Sequence, residues 1–148
     1  PVLRDGDTVI RDSQAILVYL ARQYGDEQWL PNDAAGLAEV CSWLSTAANE
    51  VSRGPNALRL HYKFGRQLVV ADAEQISHKL LRLLQQQLQQ RPYLCGSSPN
   101  IADIALYPYL ALAPEARLDL QPFAAVRAWL TRIQQLDGYV GMPGMWQA

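Results

Sequence analysis

The stretch Leu94-Cys95-Gly96-Ser97-Ser98-Pro99-Asn100-Ile101-Ala102-Asp103-Ile104-Ala105-Leu106 predicts the start of a buried helix. Asn100 and Asp103 have the spacing of a capping box, in which the Asn side chain accepts from the backbone N–H three residues on and the Asp carboxylate accepts from the Asn N–H. In apolar surroundings each unpaired donor would cost about 1–3 kcal/mol. We therefore predict structural capping by Asn100 and Asp103. The alternative, a catalytic Asp103, is less favoured because no paired acid or histidine lies near it in the sequence.

Four other segments carry apolar residues at helical spacing. Gly54-Pro55 is expected to bend or break the second of them, with helix resuming over 56–64, because proline lacks a backbone donor and clashes with the preceding turn. Cys41 falls on the apolar face of that second helix and is predicted to lie in the core. Pro122 is expected in the first turn of the last helix. The segments are 16–24, 37–51, 76–88 and 126–136.

The beginning of the chain has a different pattern. Residues 2–3 and 8–10 read as two short strands joined by a tight turn at Asp5-Gly6, where glycine supplies a positive φ. Two strands do not form a stable sheet alone, so we expect this hairpin to need partner strands that the chain does not contain. The sequence thus predicts a mostly α chain: a hairpin and helix over residues 1–26, a surface linker over 29–33, and an all-helical domain over 33–148.

Composition narrows the classes of function. The net charge is −1 and charged residues make up 18% of the chain, which argues against nucleic acid or an anionic membrane as a partner. No run reaches the about 18 apolar residues that span a bilayer, and the first residues do not resemble a signal peptide. Cys41 and Cys95 are far apart, which favours a reducing cytosol. His61 and His78 have no partner at metal-ligand spacing, so neither a metal nor another cofactor is expected.

Asp12-Ser13 at the start of the first helix has two interpretations. It can be a simple helix cap, with either residue as the N-cap. It can also be a binding site for a zwitterion, in which first-turn N–H groups and the Ser hydroxyl bind a carboxylate while the Asp carboxylate binds an ammonium group. The local residues leave both interpretations open.

Three motifs, in order along the chain, resemble one known family. The string from Pro1 to Ala21, Pro-x-Leu-x-Asp-Gly-x-x-Val-Ile-x-Asp-Ser-x-Ala-Ile-Leu-x-Tyr-Leu-Ala, resembles the second half of the thioredoxin-like domain of glutathione S-transferases. The Cys95–Leu106 motif resembles the one that opens the core helix of their all-helical domain, and residues 127–133 resemble a later helix. The resemblance covers essentially the whole chain and implies a partial thioredoxin-like hairpin and helix followed by the helical bundle.

The resemblance also implies a glutathione site. Pro1 matches the family's cis-proline, next to the residue that pairs with the cysteinyl part of glutathione. Asp12 and Ser13 match the acidic-Ser pair that holds the γ-glutamyl ammonium and carboxylate. The strand-helix-strand that carries the thiol-activating Tyr, Ser or Cys is absent from these residues, so we expect an N-terminally truncated chain that is inactive on its own, with no catalytic residue of its own.

The implied activity is conjugation of glutathione, as a co-substrate, to a hydrophobic electrophile by a cytosolic homodimer. The resemblance suggests an apolar wall from Trp43 and Ala47, together with Tyr62, although Trp43 and Tyr62 taken alone are more typical of a core. Ser52 and Arg53 stand where beta-class members have His and Lys, so a beta-class thiol-binding His is not supported. The alternative is a non-catalytic module of the same fold that stores ligands or binds proteins.

Overall fold

The computed structural model describes residues 1–147 and has the mostly α architecture expected from the sequence. A hairpin is followed by helices, with one π-helical turn at Ala47–Val51 and one 3-10 turn at Ala113–Ala116. The elements are β1 (Val2–Asp5), β2 (Thr8–Arg11), α1 (Ser13–Tyr24), α2 (Ala34–Thr46), α3 (Pro55–Phe64), α4 (Val70–Gln90), α5 (Ile101–Ala111) and α6 (Ala124–Gln134).

The hairpin forms where the sequence places it, with its turn one residue later. The strands pair antiparallel as far as Asp5 opposite Thr8, so the two loop residues are Gly6 and Asp7. Gly6 has a φ of 57°, a conformation that costs a glycine little because it has no Cβ. The expected turn at Asp5-Gly6 is therefore corrected to Gly6-Asp7, because Asp5 still belongs to the ladder.

Helix α1 packs against this hairpin and holds its turn. The Asp5 carboxylate accepts hydrogen bonds from the hydroxyls of Tyr24 and Tyr19, the latter at 3.0 Å, and these bonds lower the pKa of Asp5. Leu3 and Ile10 are cross-strand partners and are half-buried. The hairpin is thus tied to α1 by a polar contact at the turn and by packing near the middle of the strands.

The linker over residues 29–33 is built into the fold. Arg22 of α1 donates to the carbonyls of Leu30 at 3.2 Å and Pro31 at 2.9 Å. The Trp29 carbonyl accepts from the backbone N–H of Ile101 at 3.2 Å, which satisfies a first-turn donor of α5. Leu30 is 1% exposed, so the expected surface linker contributes a side chain to the protein interior. The core beneath it consists of Ala21, Leu30, Val40, Leu44 and Ile101.

The predicted break between α2 and α3 occurs at Gly54, and Pro55 is the first residue of α3. A Cβ on Gly54 would lie 2.8 Å from Ser77 Oγ of α4 and 2.9 Å from the Glu50 carbonyl oxygen. Both distances are far below ordinary van der Waals contact. Glycine is therefore required here because α4 passes close to the backbone at the bend.

One predicted core residue on α2 lies at the surface instead. Cys41 is exposed, whereas its neighbours Val40, Trp43 and Leu44 are buried. Successive helical residues are separated by about 100°, so a residue next to the centre of a narrow apolar face can already point to solvent. Cys41 therefore lies just outside the buried face.

The main core is formed chiefly by α4, α5 and α6, with further side chains from α2, the π-helical turn and α3, and fully buried Trp129 of α6 is among its largest side chains. Helix α6 begins at Ala124, so Pro122 precedes the helix rather than lying in its first turn as expected. Phe123 takes the N-cap position, and that placement leaves the proline outside. Within residues 1–147, no helix is both long and apolar enough to cross a membrane.

Candidate functional site

The Asp103 carboxylate is buried at the start of α5 and is surrounded by donors. It accepts from the backbone N–H of Asn100 at 3.0 Å and of Leu94 at 3.0 Å, and from the indole N–H of Trp129 at 2.8 Å. Asn100 in turn accepts from the Ala102 N–H at 2.9 Å, so the predicted capping box is present. Burial raises the pKa of Asp103, and the three hydrogen bonds oppose that rise.

This environment suits a structural carboxylate. Asp103 is 0% exposed, and both of its oxygens already accept hydrogen bonds, so no lone pair faces a ligand-accessible space. The bonds from Leu94 and Trp129 were not predicted. They join the loop before α5 to α6, across separations of 9 and 26 residues, and no local sequence pattern indicates such partners.

The start of α1 has an unusual backbone. Asp12 is the N-cap, and its Oδ1 accepts from the backbone N–H of Gln14 at 3.0 Å and of Ala15 at 3.1 Å. Its φ of 82° and ψ of 133° are uncommon for any residue other than glycine, and such a conformation costs about 1–3 kcal/mol. In the described residues no donor contacts its Oδ2. The Asp12 carboxylate thus caps α1 with one oxygen and keeps the other free.

Ser13 is the first helical residue of α1 and is exposed. Its hydroxyl donates to the side-chain oxygen of Gln14 at 2.6 Å, a contact between two surface side chains that a ligand could replace. Its backbone N–H has no intrahelical acceptor because of its position in the first turn. Two donors of Ser13 and one free oxygen of Asp12 therefore belong to adjacent residues at the start of α1.

A cavity of about 350 Å³ opens beside Ser13. The start of α1 contributes the polar residues Ser13 and Gln14 to its lining, and the π-helical turn and α5 contribute mostly apolar residues. A small molecule with one charged end and one apolar end matches this distribution. The cavity is lined by Pro1, Ser13, Gln14, Ile16, Leu17, Ala47, Ile104, Ala105, Pro108 and Tyr109.

Backbone irregularities gather around this cavity. Asp12 precedes it with a positive φ, Ala47 is the first residue of the π-helical turn, and Pro108 lies inside α5. Strained residues and π-helical turns are concentrated at functional sites, because they cost stability and persist where function requires them. Their convergence marks the cavity as the candidate site. The spacing of apolar residues does not predict the π-helical turn. A proline within an apolar run does indicate an irregular helix, so Pro108 is the sequence feature that could have pointed to this cavity.

The structure brings together several of the residues predicted for a site. Pro1, Ser13 and Ala47 line the cavity, and the Asp12 N–H donates to the Pro1 carbonyl at 3.3 Å. Asp12 itself is adjacent to the cavity rather than part of its lining. The glutathione-site prediction and one member of the predicted electrophile wall therefore meet in one place.

Two other predicted wall residues lie elsewhere. Trp43 is 8% exposed and packs in the main core, because it lies on the buried face of α2. The Tyr62 ring is covered by the guanidinium of Arg117, 4.2 Å from the ring centroid. Neither side chain lines the cavity beside Ser13, whose apolar lining includes Ala47 of the π-helical turn and residues of α5.

Elsewhere in residues 1–147, the cysteine and histidine side chains do not form a second reactive site. Burial raises the pKa of Cys95 to about 11, which disfavours its thiolate. The Nδ1 atom of His61 lies 2.8 Å from the Arg66 carbonyl oxygen. Across residues 1–147, no three His, Cys, Asp or Glu side chains gather as a metal site requires.

Comparison with known proteins agrees with this architecture. Residues 67–132 match the family model described as the glutathione S-transferase C-terminal domain. The crystal structure of a glutathione S-transferase from Xanthobacter autotrophicus is 31% identical and superimposes with a TM-score of 0.88, over 97% of this chain and 72% of that one. The chain belongs to the glutathione S-transferase family. This membership confirms the resemblance that the motifs indicated.

Two further relatives bear on the site. Glutathione S-transferase 2 of Anopheles gambiae is 32% identical over 133 residues, which are 87% of this chain and 63% of that protein. A glutathione transferase homologue from Drosophila mojavensis, solved with bound glutathione, is 26% identical with a TM-score of 0.81, over 94% of this chain and 65% of that one. The chain thus spans less than two thirds of the length of these two glutathione S-transferase relatives.

Proposed function

We propose that this chain is part of a glutathione transferase that conjugates the glutathione thiol to hydrophobic electrophiles. The observation that carries the proposal is the shared cavity: Ser13, from the predicted glutathione site, and Ala47, from the predicted electrophile wall, line the same space of about 350 Å³. Membership in the glutathione S-transferase family supports the same activity.

Glutathione would bind through its γ-glutamyl end at the start of α1. The Ser13 hydroxyl and backbone N–H would donate to the γ-glutamyl carboxylate, which the positive end of the helix also favours. The free Oδ2 of Asp12 would accept from the ammonium group. The Ser13 hydroxyl must first rotate away from Gln14, at the loss of a single surface contact. Pro1 would border the cysteinyl part of the tripeptide.

The chemical step needs glutathione as a thiolate. The sulfur then forms a bond to an electrophilic carbon, and either a leaving group departs with its electron pair or a π bond opens. Two of the described lining residues, Ser13 and Tyr109, carry hydroxyl groups, but Ser13 is proposed to hold the γ-glutamyl carboxylate and Tyr109 belongs to α5 of the helical domain. We therefore expect neither hydroxyl to activate the thiol, because the resemblance implies that the activating Tyr, Ser or Cys belongs to the family's strand-helix-strand.

The partners follow from the same proposal. Glutathione and an apolar electrophile are the small-molecule partners, and the active form would be a homodimer. The proposed compartment is the cytosol, where a reducing environment keeps the exposed thiol of Cys41 free. A non-catalytic module that stores ligands or binds proteins is the second candidate. It would keep glutathione binding without turnover.

Two measurements test the proposal. We expect the longest polypeptide encoded by the gene to conjugate glutathione to 1-chloro-2,4-dinitrobenzene, and residues 1–148 alone to show only the uncatalysed rate. In that longest polypeptide, titration calorimetry should show glutathione binding weakened about ten- to hundredfold by Asp12→Ala or Ser13→Ala, because each change removes a charge-assisted hydrogen bond. Ser98→Ala, in the exposed loop before α5, is the matched control.

The outcomes separate the candidates. Unchanged affinity in both variants would remove Asp12 and Ser13 from the glutathione site. Tight glutathione binding by the longest polypeptide without turnover of any electrophile would favour the storage or interaction module over the transferase.

A further inference from the structure

Gln14 already accepts the hydrogen bond that the Ser13 hydroxyl can donate. The Gln14 amide oxygen lies 2.6 Å from Ser13 Oγ, and both residues line the cavity at the start of α1. Gln14 is partly buried, whereas Ser13 is exposed. This contact fixes the position of the Gln14 amide, which lies at the hydroxyl that is proposed to bind the γ-glutamyl carboxylate.

The backbone of Gln14 is held by the same segment. Its N–H donates to Asp12 Oδ1 at 3.0 Å, and the N–H of Ala15 donates to the same oxygen at 3.1 Å. Gln14 is the second residue of α1, so its side chain starts from a fixed point in the first helical turn. Asp12 therefore holds the Gln14 backbone, and the Gln14 side chain in turn holds the Ser13 hydroxyl.

The Ser13 hydroxyl has a single hydrogen to donate. It can donate to the Gln14 amide oxygen or to the carboxylate of a ligand, but a full bond to one excludes a full bond to the other. Hydrogen bonds to an ionised acceptor are about twice as strong as those between neutral groups. A carboxylate therefore displaces the neutral amide, but the lost Ser13–Gln14 bond reduces the net free energy of binding.

We infer that Gln14 is an internal competitor for the γ-glutamyl site, with its amide oxygen in the place of one carboxylate oxygen of the ligand. This inference rests on the proposed transferase function. A neutral acceptor gains little by replacing the amide oxygen, so the Ser13 hydroxyl is released mainly to a charged one. The conjugate formed in the reaction keeps the γ-glutamyl end of glutathione. Gln14 therefore lowers the affinity for the product as well, and so promotes its release.

Titration calorimetry on the longest polypeptide that the gene encodes tests this competition. Gln14→Met removes the amide and keeps the length of the side chain. We expect it to tighten the binding of glutathione and of S-hexylglutathione, a mimic of the product, by the same factor. That factor is about two- to tenfold, the contribution of one neutral hydrogen bond. Gln23→Met, at an exposed position of the same helix, is the matched control and should leave both affinities unchanged.

The same substitution in a Ser13→Ala background isolates the cause. Without the hydroxyl there is no donor to compete for, so Gln14→Met should not change the glutathione affinity of Ser13→Ala. Equal tightening in that background would assign the gain to the methionine itself and overturn the competition.

The single variant can also refute the inference. Unchanged or weaker glutathione binding by Gln14→Met, in a protein whose thermal melt shows that it is folded, would overturn the competition and leave the proposed glutathione site intact. A folded wild-type polypeptide that binds no glutathione would overturn the proposed function as well.

Discussion

Replacement of Asp103 by Ala should destabilise the fold far more than the loss of a helix cap. The variant leaves three buried donors without an acceptor: the N–H groups of Leu94 and Asn100 and the indole N–H of Trp129. At about 1–3 kcal/mol for each, the free energy of unfolding would fall by about 3–9 kcal/mol. Relief of the carboxylate's desolvation and entry of water offset part of this loss, so we expect about 3–5 kcal/mol.

Urea unfolding followed by circular dichroism measures this change directly. The matched control is Glu74→Ala on α4, because Glu74 is exposed and its replacement should change stability by less than about 0.5 kcal/mol. Near-ultraviolet spectra of Asp103→Ala should also change, because the Trp129 indole loses its partner.

A small loss of stability in Asp103→Ala would contradict this prediction. If Asp103→Ala lowered stability by only about 1 kcal/mol, the effect would match an ordinary surface cap. The contacts of Asp103 to Leu94 and Trp129 would then carry no net stability, and the three buried donors would not remain unsatisfied in the variant.

Three other predictions follow from the geometry. Asp12→Gly should be more stable than Asp12→Ala by about 1 kcal/mol in thermal melts, because both lose the cap but only glycine relieves the φ of 82°; equal melts would refute the strain. Brief iodoacetamide treatment at neutral pH should label exposed Cys41 and spare Cys95, because a pKa of about 11 leaves little of Cys95 as thiolate. Peptide mass spectrometry measures the labelled fraction of each cysteine, and faster labelling of Cys95 than of Cys41 would refute this prediction. Hydrogen bonds from Lys63 and Arg59 of α3 lower the pKa of Glu115, so the carboxylate stabilises the folded state fully above its usual pKa of 4.5, and this stabilisation is lost as pH falls through the folded-state pKa. The difference between the urea midpoints at pH 7 and pH 3 should therefore be smaller in Glu115→Gln than in the wild type. An unchanged difference would contradict the pairing.

Local patterns predicted much of the fold and part of the site. The capping box at Asn100 and Asp103, the hairpin and the Asp12-Ser13 helix start all depend on residues within a few positions of one another, and the structure contains each of them. Such features can be predicted because hydrogen bonds between near neighbours require no knowledge of the rest of the fold.

Features set by distant contacts could not be predicted in this way. The Trp129–Asp103 bond joins two helices that only tertiary packing brings together. The π-helical turn at Ala47–Val51 has no local sequence signature, and tertiary packing decides that Ala47 lines the cavity whereas Trp43 lies in the main core. The prediction that Cys41 lies in the core is wrong because the buried face of α2 is narrower than its run of apolar residues.

The linker also limits how family members can be recombined. The Trp29 carbonyl completes the first turn of α5, and Leu30 fills the core shared with α1, so these residues belong structurally to the helical half. A hybrid that replaced them with a flexible tether would lose a cap and a core side chain together. Crossovers at the exposed residues Gly25 and Asp26 keep Trp29 and Leu30 in the same parental segment as α5. Hybrids joined there should be soluble more often than hybrids joined at Pro31 or Asn32.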